Sequence, residues 1–229
     1  MWGYFYDYYY IVLVVPAIII SLIAQINVKA TFSKYSKVGN SRGITGAEAA
    51  KRILSNSGIN NVSIELISGK LTDHYDPKAN VIRLSDSVYN SKSVAAIGVA
   101  CHEAGHAIQY AENYSPVKLR NAIIPVSRFG SGAGVWLAII GIAMGWQPLV
   151  IAGIVLFSAV VVFQLLTLPV EFNASRRALR AIDESDILYG DERKGAKKML
   201  RAAALTYVAA LLVSVMTLLR LILQSQRRR

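Results

Sequence analysis

Ile11 to Ile26 reads IVLVVPAIIISLIAQI, an uncharged apolar run that reaches bilayer-spanning length once Tyr8-Tyr9-Tyr10 is counted as an interfacial aromatic belt. Two more apolar runs lie between Gly130 and Leu168, divided by Gly145-Trp146-Gln147-Pro148, which reads as a tight turn with Trp146 anchored at the far interface. A fourth run extends from Ala202 to Leu223. In a chain of 229 residues that is 54% apolar, with a mean hydropathy of +0.39, these runs exclude an ordinary soluble domain. The expectation is a mostly α-helical membrane protein with about four transmembrane helices. No Lys or Arg precedes the first run and no small-x-small cleavage site follows it, so it reads as a retained anchor.

The net charge of +11 is unevenly placed. Thirteen Lys and Arg lie between Lys29 and Arg128 and eight between Glu171 and Arg201, whereas the N-terminal tip and the Gly145 to Pro148 turn carry none. The positive-inside rule makes the two basic regions cytoplasmic and the other two external. One feature conflicts with that arrangement. Four crossings that start outside must end outside, yet the chain closes on Gln226-Arg227-Arg228-Arg229 and carries Arg220 inside its last apolar run. The last segment therefore either spans against the rule or lies partly along the inner surface with Arg220 snorkelling; a span is favoured. No recognisable nucleic-acid module accompanies the basic charge, so no nucleic acid is expected as a partner. A single cysteine excludes a disulfide framework and suits a reducing inner face.

The chain has three histidines, and two stand in His102-Glu103-Ala104-Gly105-His106. On a helix, residues four apart share a face, so both imidazoles can ligate one tetrahedral zinc while Glu103 polarises a water. Ser91-Lys92-Ser93 supplies candidate caps, and Val94 to Glu112 is free of proline. Gly105 costs about 1 kcal/mol relative to Ala within a helix, which points either to a close approach to the backbone there, such as by a strand or a substrate, or to a tolerated small residue. Cys101 points about 100° away from His102 and reads as a buried small apolar residue.

Between the first run and the central hairpin lies a soluble stretch. Thr45-Gly46-Ala47-Glu48 has capping-box form and opens a helix through Leu54 that ends at Ser57-Gly58. Val62 to Ile67 alternates as a strand, Lys70 to Tyr75 pairs or continues it, and Val81 to Leu84 reads as another. The expected order is a helix, short antiparallel strands and the metal helix, the strands offering an edge for an extended peptide. The chain thus divides into an N-terminal anchor (1–28), a domain with the HExxH helix (29–125), a transmembrane hairpin (126–168), a cytoplasmic helix (169–201) and a C-terminal apolar helix with a basic tail (202–229).

Two histidines do not complete a catalytic zinc, which takes three protein ligands and a water. No H-x-x-G-x-x-H continuation follows, which excludes the metzincin arrangement. The candidates are His74, in Leu71-Thr72-Asp73-His74-Tyr75-Asp76-Pro77, and Glu171, in Leu168-Pro169-Val170-Glu171-Phe172-Asn173-Ala174-Ser175-Arg176-Arg177. Two apolar runs separate His106 from Glu171, so the chain returns to the same membrane face and Glu171 can meet the metal. It also begins a helical pattern over Phe172 to Ile182, with Ser175 one turn on. The competing reading makes Glu171 a dipole-stabilising carboxylate at a helix N-terminus.

HEAGHA, LTDHYDP and PVEFNASRRA after a transmembrane hairpin together resemble the YugP-type bacterial membrane zinc metallopeptidases, the zinc peptidase 2 family, over essentially the whole chain. The resemblance implies a zinc peptidase with His102 and His106 as ligands and Glu103 as catalytic acid and base. More distantly the pattern is similar to the heat-shock membrane endopeptidases and CAAX prenyl proteases, where a Glu in E-x-x-x-D is the third ligand; carried over, that ligand is Glu171, and the small domain is zincin-like, of the HExxH-plus-Glu gluzincin type. Ser175 departs from that pattern by standing where the Asp would be, which leaves Asp183 or Glu184 as carboxylates that could replace it. His74 is the expected catalytic group for oxyanion stabilisation or substrate contact, or else a structural turn histidine, with Tyr75 and Arg177 as weaker candidates.

The function expected is a multi-pass endopeptidase of the bacterial inner membrane. It uses zinc to cut peptide or membrane-protein substrates at the cytoplasmic face. The alternative is a non-proteolytic membrane scaffold with a structural zinc closed by His102, His106, Glu171 and His74. An intramembrane protease would need the metal helix itself to span, against its polar flanks.

Overall fold

The computed structural model describes residues 7–69 and 71–226. Lys70 and the Arg227–Arg229 end of the basic tail lie outside the described residues. Four stretches are helical, long and apolar enough to cross a membrane: Tyr10–Tyr35, Ser115–Met144, Gln147–Glu184 and Gly190–Gln226. The first is a π-helical turn running into α1 (Val15–Tyr35). The second joins α5 (Ser115–Phe129) to α6 (Val135–Met144) through a π-helical segment at Gly130–Gly134. The others are the continuous helices α7 (Gln147–Glu184) and α8 (Gly190–Gln226).

The chain divides into two compact units. One holds residues up to Gln25, Lys118–Pro169 and from Leu205 on; the other holds Ile26–Val117 and Val170–Ala204. In the first, apolar unit, helices approach backbone to backbone at glycines. A Cβ added at Gly130 would lie 2.4 Å from the Leu156 carbonyl oxygen, and one at Gly153 the same distance from the Ala138 nitrogen. Ala138, Phe157, Val160, Val161 and Leu221 form its small core. Arg220, left inside an apolar run by the sequence, donates to Asp7 Oδ2 over 2.7 Å and stacks on Tyr10. Pairing relieves the cost of a charge on an apolar helix, so α8 continues as one uninterrupted helix.

The second unit is built around α4 (Val94–Ala111), capped by Ser93, whose hydroxyl accepts from the Ala96 N–H at 3.2 Å. The capping box of α2 (Gly46–Asn56) forms as its sequence predicts, with Thr45 and Glu48 satisfying each other's amides. Three strands, β1 (Ser63–Ile67), β2 (His74–Asp76) and β3 (Val81–Ser85), are followed by the short α3 (Asp86–Tyr89). The sheet order is β1-β3-β2, and the antiparallel expectation is corrected: β2 is antiparallel to β3, but β1 is parallel to it. The most buried strand, β3, takes the centre. The turn through Asn80 folds β2 back along one side, leaving only the other side for β1.

A common core joins Ile53 of α2, Ile82 and Leu84 of β3, Ile97 and Ala104 of α4, Ile182 of α7 and Met199 of α8. Buried on nearly all sides, α4 is a rigid support for whatever it carries. Glu171 does not begin a helix, which removes its reading as a helix N-terminal carboxylate. It lies well inside α7, past Pro169, which the helix absorbs. Proline supplies a helical φ and forfeits one backbone hydrogen bond, a loss that tertiary packing outweighs here.

Candidate metal centre

His102 and His106 project from one face of α4, their ring centres 4.8 Å apart and their planes at 81°. Glu171 reaches them from α7, its side chain almost wholly buried. One carboxylate oxygen lies 3.3 Å from His102 Nε2 and 3.6 Å from His106 Nε2. The prospective ligand atoms of these three residues all fall within 4.8 Å of one another. Gly105 makes the meeting possible. A Cβ there would sit 2.6 Å from the Ala174 carbonyl oxygen, so the close approach inferred from this glycine is made by α7, not by a strand or substrate. Cys101 is buried in the core, as expected, where burial pushes its thiol pKa up.

Two imidazoles and a carboxylate around a common point are the donor set of a three-ligand zinc site. Electrostatics agree. Burial pushes the His106 imidazole down, but the Glu171 carboxylate, with Glu103 and Gln109, more than reverses this and raises its pKa above the ordinary value. The carboxylates around the cluster thus favour positive charge where a cation would sit.

Glu103 is buried beside these ligands without being one of the three. Its Oε2 accepts the backbone N–H of Tyr75 at 2.9 Å, so edge strand β2 turns an amide toward the carboxylate. His74, the preceding residue, is exposed; its Nδ1 lies 2.8 Å from the Thr72 carbonyl oxygen, and it does not join the three-residue cluster. Tyr75 packs edge-on against Tyr110 and donates to Asn80 Oδ1, and burial pushes its hydroxyl pKa up. Arg177 is held by Glu112 at 2.7 Å and by Asn173 Oδ1 at 2.7 Å.

Each imidazole has a neutral support at its other nitrogen. Ser175 Oγ lies 3.2 Å from His102 Nδ1, one helical turn after Glu171. Neither carboxylate considered as a replacement does this work: Asp183 pairs with Arg193 and Glu184 with Arg180. His106 Nδ1 lies 3.0 Å from Gln109 Oε1. Gln109 and Asn173 escaped the sequence reading, although Gln109 stands three residues after His106 on the same helix face.

Among the described residues, a His-His-Glu donor set able to hold a metal thus stands in a chain with four helices apolar enough to cross a membrane. Comparison with known proteins gives the family. Residues 10–226 match the family described as "Putative neutral zinc metallopeptidase", and the chain belongs to it. It is 50% identical over 214 residues to the "Putative membrane protease YugP" of Bacillus subtilis (strain 168), covering 93% of this chain and 95% of that protein. No solved structure matches it.

Proposed function

We propose that this protein is a membrane-embedded zinc endopeptidase of the HExxH-plus-Glu gluzincin type, with a zincin-like domain at the cytoplasmic face of the bacterial inner membrane. The observation that carries the reading is the convergence of His102, His106 and Glu171 beside a buried Glu103 that is not one of the converging three. When bound, zinc supplies Lewis acidity and lowers the pKa of water toward neutrality. His102, His106 and Glu171 would hold it, three protein ligands being the usual complement of a catalytic zinc.

Glu103 takes a proton from the attacking water and passes it to the leaving amine. The Tyr75 amide, donating to Glu103 Oε2, keeps that carboxylate aimed. Strand β2 lies at the sheet edge nearest Glu103, which suits it to receive an extended stretch of peptide or membrane-protein substrate by backbone pairing. His74, exposed on that strand, is assigned to substrate or transition-state contact. The cytoplasmic assignment rests on the Lys and Arg excess between Lys29 and Arg128 and between Glu171 and Arg201. The Asp7–Arg220 pair joins the start of the first crossing to the end of the fourth, as an even number of crossings requires.

The scaffold alternative needs His74 to close the site as a fourth ligand, and His74 stands outside the cluster. The test is Glu103→Gln in the full-length, zinc-loaded protein. Zinc content is expected to be retained and peptide cleavage to fall by about 10²–10⁴-fold. Cleavage at the parental rate would overturn the proposal.

A further inference from the structure

Gln109 is wholly buried near the C-terminal end of α4 and is fully employed. Its Nε2 donates to the Val170 carbonyl oxygen at 2.8 Å and to Asn173 Oδ1 at 2.9 Å, and its Oε1 faces His106 Nδ1 at 3.0 Å. A backbone carbonyl only accepts, so the amide face turned to Val170 must be the nitrogen. The face turned to His106 is then the oxygen, which also only accepts. His106 must therefore carry its hydrogen on Nδ1, and in the neutral imidazole Nε2 keeps the lone pair that faces Glu171 and His102. Asn173 is oriented by the same logic: its Oδ1 accepts from Gln109 and from Arg177, which Glu112 holds in turn.

Ser175 exerts no such control over His102. A hydroxyl both donates and accepts, so either tautomer satisfies the 3.2 Å contact. The carbonyl that orients Gln109 belongs to Val170, the residue before Glu171. Seating this turn of α7 against α4 therefore delivers the third ligand and selects the tautomer of the second in one event.

We propose that Gln109 is a positioning residue of the metal centre, locking His106 in its Nδ1–H tautomer and coupling that lock to the docking of the α7 turn that carries Glu171. This deepens the zinc peptidase reading and rests on it. Its test reads zinc and the imidazole directly, so it fails or succeeds apart from cleavage. In the full-length protein in detergent, zinc affinity is measured by chelator competition, and the tautomers of His102 and His106 by nitrogen-15 NMR of labelled histidine.

Gln109→Met, close in shape and without hydrogen bonds, is expected to lower zinc affinity about 10–100-fold. It should also release His106 from the Nδ1–H form in the metal-free protein while leaving His102 unchanged. Unchanged affinity and an unchanged His106 tautomer would overturn the proposal. Should Gln109→Met not fold, Gln109→Glu serves, since it preserves shape and an acceptor toward His106. It is expected to keep the Nδ1–H tautomer, and loss of that tautomer in the folded variant would equally overturn the proposal. Asn173→Ala leaves the Val170 and His106 bonds of Gln109 in place and is expected to change zinc affinity less than Gln109→Met does; the reverse order would place control of His106 elsewhere.

Discussion

Both units bring helices into backbone contact at glycine, but to different ends. In the apolar unit, Gly130, Gly134, Gly141 and Gly153 let α5, α6 and α7 interlock, and the atoms nearest these glycines are backbone and apolar side chains. In the metal unit, Gly105 admits Ala174 of α7, and the residues around that contact are polar: Glu171, Asn173 and Ser175 on one helix, His102, His106 and Gln109 on the other. Close approach is cohesion in one unit and ligand delivery in the other. The same substitution should therefore have different consequences in the two places.

The largest effect is expected from Gly105→Ala. Its Cβ would meet a backbone oxygen at 2.6 Å, so α7 must move from α4. Zinc affinity should fall at least tenfold and cleavage with it, as read by chelator competition and peptide hydrolysis. Gly153→Ala, with an even closer clash in the apolar unit, should lower thermal stability by about 1–3 kcal/mol while the folded protein binds zinc as before. Equal losses of zinc affinity in the two variants would break the comparison.

Next comes Arg220→Ala, which strips Asp7 of its cation; destabilisation of about 1–3 kcal/mol is expected in thermal melts, again with zinc affinity unchanged. Ser175→Asp then sharpens the metal side by placing a charge beside His102 Nδ1. It should tighten zinc binding several-fold, and Ser175→Ala should weaken it by a similar factor in the same titration.

The smallest effect lies on the sheet. Asp76 is lowered to about 2 by the Arg83 guanidinium and the amides of Ala79 and Lys78. Its folded value lies below the unfolded value of about 3.9, so its contribution is complete above that pH and is lost as pH falls toward 2. The stability difference between parent and Asp76→Asn in metal-free protein should therefore shrink across that window. A difference that stays constant would remove Asp76 from the acid response.

Local chemistry was readable because it depends on near neighbours. Thr45 and Glu48 form their capping box, Ser93 caps the metal helix, and Gly145 ends α6 in a left-handed conformation. The apolar runs announce the helices long and apolar enough to cross a membrane, although α7 and α8 extend well past them, because a helix with a packed partner needs no apolar composition to continue. The strand pairing was missed: short segments name neither their neighbour nor its direction, and the burial of β3 decided both. Gln109 and Asn173 were missed because each is an ordinary polar residue until the other helix stands against it.

The sequence by itself determined that helices long and apolar enough to cross a membrane would form, and that one buried helix would carry two imidazoles and a carboxylate at zinc-binding spacing. Helical periodicity and apolar run length are properties of consecutive residues. Only the tertiary structure decided that Glu171 is the third member of the cluster, that Ser175 and Gln109 support the two imidazoles, and that β2 supplies the amide on Glu103. All but the Gln109–His106 contact join residues far apart in the chain, and Gln109 is itself oriented by the Val170 carbonyl on another helix. Such contacts exist only once packing removes the entropy of the intervening segments, which no local pattern records.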